Sequence, residues 1–230
     1  MIRTFKALSA LLSYPSTDLQ EAISDIREIL TFEKILPVEA IVAMEPLLSE
    51  FETGDIFDVQ ERYVLLFDRS RTLSLNLFEH IHGEGRDRGG AMVDLLETYR
   101  AQGYDLVATE LPDHLPVLLE FIATLPIGEA REMLVDAGHI IAALAERLTR
   151  RETPYAAVLT ALSDFAQASL ETDEAQALIS EKDDDPEDLD ALDAVYEEAM
   201  VTFGPDPNAG CPVSRDILAR MDAPLRPATA

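Results

Sequence analysis

Apolar residues recur at helical spacing along almost the whole chain, and that regularity excludes most architectures before any motif is considered. Leu19, Ile23, Ile26 and Leu30 fall at i, i+4, i+7 and i+11 behind Ser16-Thr17-Asp18, a run suited to starting a helix. Val38, Ile41, Val42, Leu48 and Phe51 form a second stripe, in which Pro46 predicts a kink. Ile56, Val59, Tyr63, Leu66 and Phe67 follow Asp55 in the same way. Leu73, Leu77, Phe78 and Ile81 predict a short helix, and Met92, Leu95, Leu96 and Tyr99 another. Asp113 is placed to cap a helix carrying Val117, Leu118, Phe121, Ile122 and Leu125. Met133, Leu134, Ala137, Ile141, Leu144 and Leu148 stripe the next, and Thr153-Pro154 opens one through Tyr155, Val158, Leu159, Leu162 and Phe165. A last stripe, Leu189 to Phe203, stops at Gly204-Pro205. Alternation of the kind strands require is nearly absent. The expected fold is all-α, a single compact multi-helix domain over residues 1–203, with a hinge between two helical halves near residues 101–112.

With 230 residues, 47 % of them apolar, the chain can bury one full core. Its lone cysteine, Cys211, excludes an intramolecular disulfide or a multi-cysteine zinc site, and no local histidine stands ready to activate it. No apolar run is long enough for a signal peptide or a membrane span, which predicts a cytoplasmic protein. Against 18 basic side chains stand 44 acidic ones, a formal charge of −26. Such a field repels phosphate backbones and attracts basic partners, so nucleic acid is excluded as a partner. Charge is densest over residues 171–193, with eleven acids against one lysine, and like-charge repulsion predicts a mobile segment there. The proline- and alanine-rich stretch 204–230 reads as a disordered tail.

One stretch carries most of the unusual chemistry: HIHGEGRDRGG, residues 80–90. His80 and His82 are two apart, so on a helix they diverge instead of closing on one ion, and no metal is expected. Gly83, Gly85 and Gly89 miss the dinucleotide register by one residue, no strand precedes them, and Glu84 and Asp87 would oppose an anion. What remains is a charged corner between helices, where glycine permits a turn and Arg86, Asp87 and Arg88 open the next helix. A second polar cluster, Asp68, Arg69 and Arg71, lies one short helix earlier. If that helix packs back on its neighbour, the two clusters edge one groove fit for a protein segment. No G-x-S-x-G and no Ser/His/Asp order suggests catalysis.

The string from Phe67 to Leu106, FDRSRTLSLNLFEHIHGEGRDRGGAMVDLLETYRAQGYDL, together with Tyr63-Val64-Leu65-Leu66-Phe67 and Glu110-Leu111-Pro112-Asp113-His114-Leu115, resembles the assembly chaperones of respiratory nitrate reductase. These form the NarJ family, within the wider TorD/DmsD group of redox-enzyme maturation chaperones. The likeness covers about half the chain with specific strings and implies a chaperone without catalytic residues or a cofactor of its own. It implies as partner the molybdenum-bearing catalytic subunit of nitrate reductase, held by a basic, partly apolar N-terminal segment during cofactor insertion, with the insertion machinery a further candidate. Expected to build or line the binding region are Tyr63, Phe67, Asp68, Arg71, His80, His82, Glu84, Arg86, Asp87, Glu110, Asp113 and His114. Two other readings stay open: a small nucleotide- or cofactor-binding enzyme using the 80–90 corner, and a generic helical adaptor.

Overall fold

The structure, a computed structural model, describes residues 1–82, 86–107 and 110–182, with Arg86 described in its backbone alone. Among these residues the chain is helical nearly throughout. The helices are α1 (Arg3–Leu11), α2 (Thr17–Glu33), α3 (Val38–Ala43), α4 (Glu45–Thr53) and α5 (Ile56–Tyr63), then α6 (Glu79–His82), α7 (Arg86–Ala101) and α8 (Leu115–Ile122), and finally α9 (Ile127–Asp136), α10 (Gly138–Arg150), α11 (Ala156–Ala166) and α12 (Asp173–Ser180). A π-helical turn, Val64–Asp68, extends α5, and a 3-10 turn, Arg71–Leu73, follows it.

Local chemistry sets several of these boundaries. Ser16 Oγ accepts from the Leu19 N–H at 3.1 Å and starts α2, whose predicted stripe is the buried one. Asp55 does the same for α5 through the Phe57 N–H at 2.8 Å. The Glu33 carboxylate accepts from the N–H groups of Arg3 (3.1 Å) and Thr4 (2.8 Å), satisfying donors that the start of α1 leaves open. At Gly54, a Cβ would lie 2.5 Å from the Glu50 carbonyl oxygen, so only glycine closes α4 this tightly.

The core is continuous across the sequence. α1 packs on α2 and α8, tied by Ile2 N–H to the Ala123 carbonyl (2.6 Å) and Ser9 Oγ to the Pro116 carbonyl (2.8 Å). α11 meets α3, α9 and α10. Phe5, Ile23, Phe51, Leu119, Leu144 and Leu162 share one buried cluster, so the early and late helices interdigitate. Residues Met1–Glu187 hold together as one unit, and the 101–112 stretch is not a hinge between two cores.

Other boundaries differ from expectation for physical reasons. The break near Pro46 falls at Met44, and the proline sits in the first turn of α4, where its missing N–H is not needed. The stripe over 133–148 divides at Ala137 into α9 and α10. Thr153-Pro154-Tyr155 forms a turn closed by Ala156 N–H on the Thr153 carbonyl (3.1 Å), so α11 begins later and without a threonine cap. Residues 74–76 are not helical and Leu77-Phe78 form a turn into α6: Leu77 N–H donates to the Asp113 carbonyl (3.1 Å) and Leu115 N–H to the Leu75 carbonyl (2.8 Å). The opening of the acidic run forms α12, capped by Thr172 and docked through Ala175 and Leu178, where a mobile segment was expected. The remainder of that run, the stripe from Leu189 to Phe203, Cys211 and the 204–230 tail lie outside the described residues.

Candidate functional site

The non-helical 74–78 segment and the 110–115 segment meet in an isolated antiparallel bridge between Asn76 and His114. Asp113 is wholly enclosed beneath that bridge. Its Oδ2 accepts from the Phe78 N–H at 3.0 Å and lies 3.8 Å from Arg88 Nη2, while Arg88 Nη1 is 3.0 Å from Glu79. Asp113 therefore does not cap α8, as its sequence position suggested; His114 holds the cap position without a side-chain bond. The aspartate joins the starts of α6 and α8, and Arg88 brings α7 to the same point. Asp113 Oδ1 and Arg88 Nε have no hydrogen-bond partner among the described residues. Tyr99 of α7 donates to the Pro112 carbonyl at 2.7 Å, with its ring 4.5 Å from that of Phe121.

Beside this corner, His114 lies within electrostatic reach of two carboxylates, Glu110 four residues before it and Asp68 from a distant part of the chain. Burial lowers the His114 imidazole below its ordinary value, against the opposing pull of Glu110, Asp113 and Asp68. Burial also raises the Asp68 carboxyl, with His114 opposing and Glu110 adding to the rise. The π-turn carries Asp68 to this position. There the Arg69 N–H reaches back five residues to the Val64 carbonyl (3.0 Å), adding a residue to the turn that turns Leu66 and Phe67 inward. Tyr63 and Phe67 belong to the core. Tyr63 Oη donates to the Leu12 carbonyl (3.0 Å), its ring lies 5.0 Å from Phe67, and Phe67 lies 5.0 Å from Tyr155.

His80 belongs to a different environment. Its Nε2 donates to the Ser74 carbonyl at 2.8 Å, an assignment that follows because a carbonyl only accepts, and burial lowers its pKa. Nearby, Arg147 of α10 is almost entirely enclosed, donating from Nη1 to the Thr72 carbonyl (2.6 Å) and from Nη2 to the Leu178 carbonyl. Arg147 Nη2 is also 3.4 Å from Glu181. His82 is half-buried, its ring 6.0 Å from Phe78, while Asp87 and Arg71 are exposed. Glu84 and the Arg86 side chain lie outside the described residues. Among the described residues, no three or more His, Cys, Asp or Glu side chains stand together as a metal would require.

The structure thus brings Asp68 within electrostatic reach of Glu110 and His114, and sets His80 apart. Arg147 escaped the sequence reading, and Tyr99 entered it only as part of an apolar stripe. Arg147 had a usable signal, since it lies at i+3 from Leu144 and i+7 from Ile140, within the buried stripe of α10. On the outer face of α5, Tyr14, Phe57, Gln60, Glu61, Val64, Leu65 and Arg69 line an open hollow of about 260 Å³. Phe57 is 75 % exposed there and Tyr14 52 %, which leaves apolar surface unpaired next to the π-turn. Among the described residues no helix is long and apolar enough to cross a membrane.

Comparison with known proteins bears on the same region. The family model described as the nitrate reductase delta subunit matches residues 15–161. The nitrate reductase molybdenum cofactor assembly chaperone NarJ of Escherichia coli K12 is 43 % identical over 205 residues, covering 88 % of this chain and 86 % of its own. The NarJ of Escherichia coli O157:H7 matches to the same extent. A solved structure from Archaeoglobus fulgidus, described as a redox enzyme maturation protein, superposes with a TM-score of 0.53 at 23 % identity. It covers 73 % of this chain and 94 % of its own, and shares the fold.

Proposed function

The chain belongs to the nitrate reductase delta subunit family, and from that premise we propose that it is an assembly chaperone for a nitrate reductase, acting in the cytoplasm on the catalytic subunit before molybdenum-cofactor insertion is complete. It holds a basic, partly apolar N-terminal segment of that subunit. The observation that carries this reading is Asp68, brought by the π-turn into the electrostatic surroundings of Glu110 and His114, which lie four residues apart in a distant segment. Two carboxylates beside a neutral imidazole attract a cationic side chain, and the apolar hollow at Tyr14 and Phe57 takes the client's other face. Asp113, closed to solvent, acts by holding the 110–115 and 78–79 backbones in place. The overall charge of −26 draws the basic segment in and speeds encounter at low salt.

Calorimetric titration of the full chain with a synthetic peptide from the N-terminus of the catalytic subunit tests this. Binding is expected to weaken as salt rises. Glu110 and Asp68 are exposed, so a screened pair to either is worth under about 1 kcal/mol, and replacing one by its amide weakens binding about two- to fivefold. Phe57→Ser is expected to weaken it more than either amide, because it removes apolar contact. No binding by the wild type overturns the chaperone reading. Salt-independent binding unchanged in all three variants moves the site elsewhere on the molecule.

A further inference from the structure

The hollow on the outer face of α5 is apolar in its middle and charged toward its ends. Tyr14, Phe57, Val64 and Leu65 supply apolar wall, and Glu61 and Arg69 line the same space. Two bonds fix its shape. Gln60 Nε2 donates to the Pro15 carbonyl at 2.8 Å and Tyr63 Oη to the Leu12 carbonyl at 3.0 Å, so the chain is tied to α5 on both sides of Tyr14. Glu61 and Arg69 are exposed, and neither forms an ion pair among the described residues. About two turns of helix, roughly 12 Å, separate their backbones. In a chain with 44 acids against 18 bases, an unpaired arginine beside an apolar hollow is out of keeping with a surface that attracts cations alone. Asp68, its neighbour on the π-turn, is within electrostatic reach of Glu110 and His114. Tyr63 links the two places: its ring is 5.6 Å from that of Tyr14, and the charges of Asp68 and Glu110 reach its hydroxyl.

We propose that Arg69 is a specificity residue, which reads an acidic side chain in the bound segment next to the apolar side chain that fills the hollow. This rests on the chaperone reading and adds to it a demand on the client's own sequence. The segment that fits carries a cation toward Glu61, an apolar side chain over Tyr14 and Phe57, an acid at Arg69, and a further cation at Asp68 and Glu110. An extended peptide covers the distance from Glu61 to Arg69 in about four residues. A uniformly basic segment is drawn in by the overall field but leaves Arg69 facing like charge. Arg69 thus discriminates among segments that the charge of −26 attracts alike.

Calorimetric titration of the full chain tests this, with the peptide from the N-terminus of the catalytic subunit unaltered and with each acidic side chain changed in turn to its amide. The decisive variant is Arg69→Gln, which keeps the N–H that donates to the Val64 carbonyl and so leaves the π-turn in place. It makes the chain one charge more negative, so long-range attraction alone predicts tighter binding of a basic peptide. The proposal predicts the opposite sign: binding weaker by about two- to fivefold, the size expected of one exposed pair. One of the amide peptides is expected to bind the wild type more weakly by the same factor, and with that peptide Arg69→Gln has no further effect. Arg69→Lys keeps the charge and is expected to keep most of the affinity, which a role in shape alone would not allow. Binding unchanged or tightened by Arg69→Gln overturns the proposal and leaves the chaperone reading standing. So does a set of amide peptides that all bind as the unaltered one does, or a client peptide with no acidic side chain. No binding of the unaltered peptide by the wild type overturns both.

Discussion

Two buried tyrosines make the same bond in contrasting surroundings. Tyr63 donates to the Leu12 carbonyl with its ring against those of Tyr14, Phe67 and Tyr155, and the carboxylates of Asp68 and Glu110 act on it only electrostatically. Tyr99 donates to the Pro112 carbonyl next to Asp113, Arg88 and His114, where the neighbours are charged or polar. The first region is held by contact area, spread over many weak contacts, and tolerates small shifts. The second is held by a few directed bonds, so each lost partner leaves another buried group exposed to the same deficit. An aromatic knot suits the centre of a scaffold. A polar corner suits a place where segments must be set accurately and still be able to move.

The largest expected effect lies in the knot. Phe67→Ala removes a ring packed against Tyr63 and Tyr155 and leaves a cavity in close-packed surroundings, a change that costs about 3–5 kcal/mol. Urea unfolding followed by circular dichroism measures it. A loss below about 1.5 kcal/mol would mean that the knot relaxes as a polar region does, and the contrast drawn above would fail.

Next comes the corner. Asp113→Ala leaves the Phe78 N–H without its acceptor and removes one of the two carboxylates that face Arg88 among the described residues, for a cost of about 1–3 kcal/mol. Asp113→Asn keeps an oxygen for the Phe78 N–H and is expected to cost less than the alanine change. Among the described residues no hydrogen bond or ring contact joins Phe67 to Asp113, so the double variant Phe67→Ala, Asp113→Ala is expected to be additive within about 0.5 kcal/mol. Strong non-additivity would show one cooperative network in place of two.

The two regions also differed in how plainly the sequence announced them. Tyr63, Leu66 and Phe67 continue the helical stripe of α5, and their burial followed from spacing alone. The π-turn did not, because one extra residue in a turn leaves the apolar pattern almost unchanged. At the corner, Leu73-Ser74-Leu75-Asn76-Leu77 alternates apolar and polar residues, the signature of extended chain, and fitting it to a helical period hid that signal. Asp113 ahead of an apolar run has the form of a cap, and only the partner strand at Phe78 shows why it turns elsewhere. Long-range pairs such as Arg147 with Thr72 leave no local trace beyond a charge on a buried stripe. The approach of Asp68 to the Glu110–His114 segment depends on tertiary packing between segments that no spacing rule connects.

The smallest effect separates the regions by pH. Burial lowers both His80 and His114 below the ordinary 6.5, with His80 gaining part of it back through the Ser74 carbonyl and His114 through its carboxylate neighbours. An imidazole whose folded value is depressed binds fewer protons when folded than when unfolded. Its contribution to stability is therefore complete above about 6.5 and is lost as pH falls through that value toward the folded one. Asp68 works in the opposite direction, but its raised value starts from 3.8, and its effect falls mainly in the more acidic carboxylate range. In the knot, burial raises Tyr63 and Tyr155 above their ordinary 10, so neither titrates between pH 5.5 and 8. The thermal midpoint is accordingly expected to be level from pH 8 to 7 and to decline by a few degrees toward 5.5, a shift of about 2–4 °C for each kcal/mol in a chain of this size. His80→Gln and His114→Gln should each flatten that decline, since neither replacement takes up a proton. Phe67→Ala should displace the whole curve downward by a constant amount. A decline as steep in the double histidine variant as in the wild type would assign the pH response to groups outside the corner.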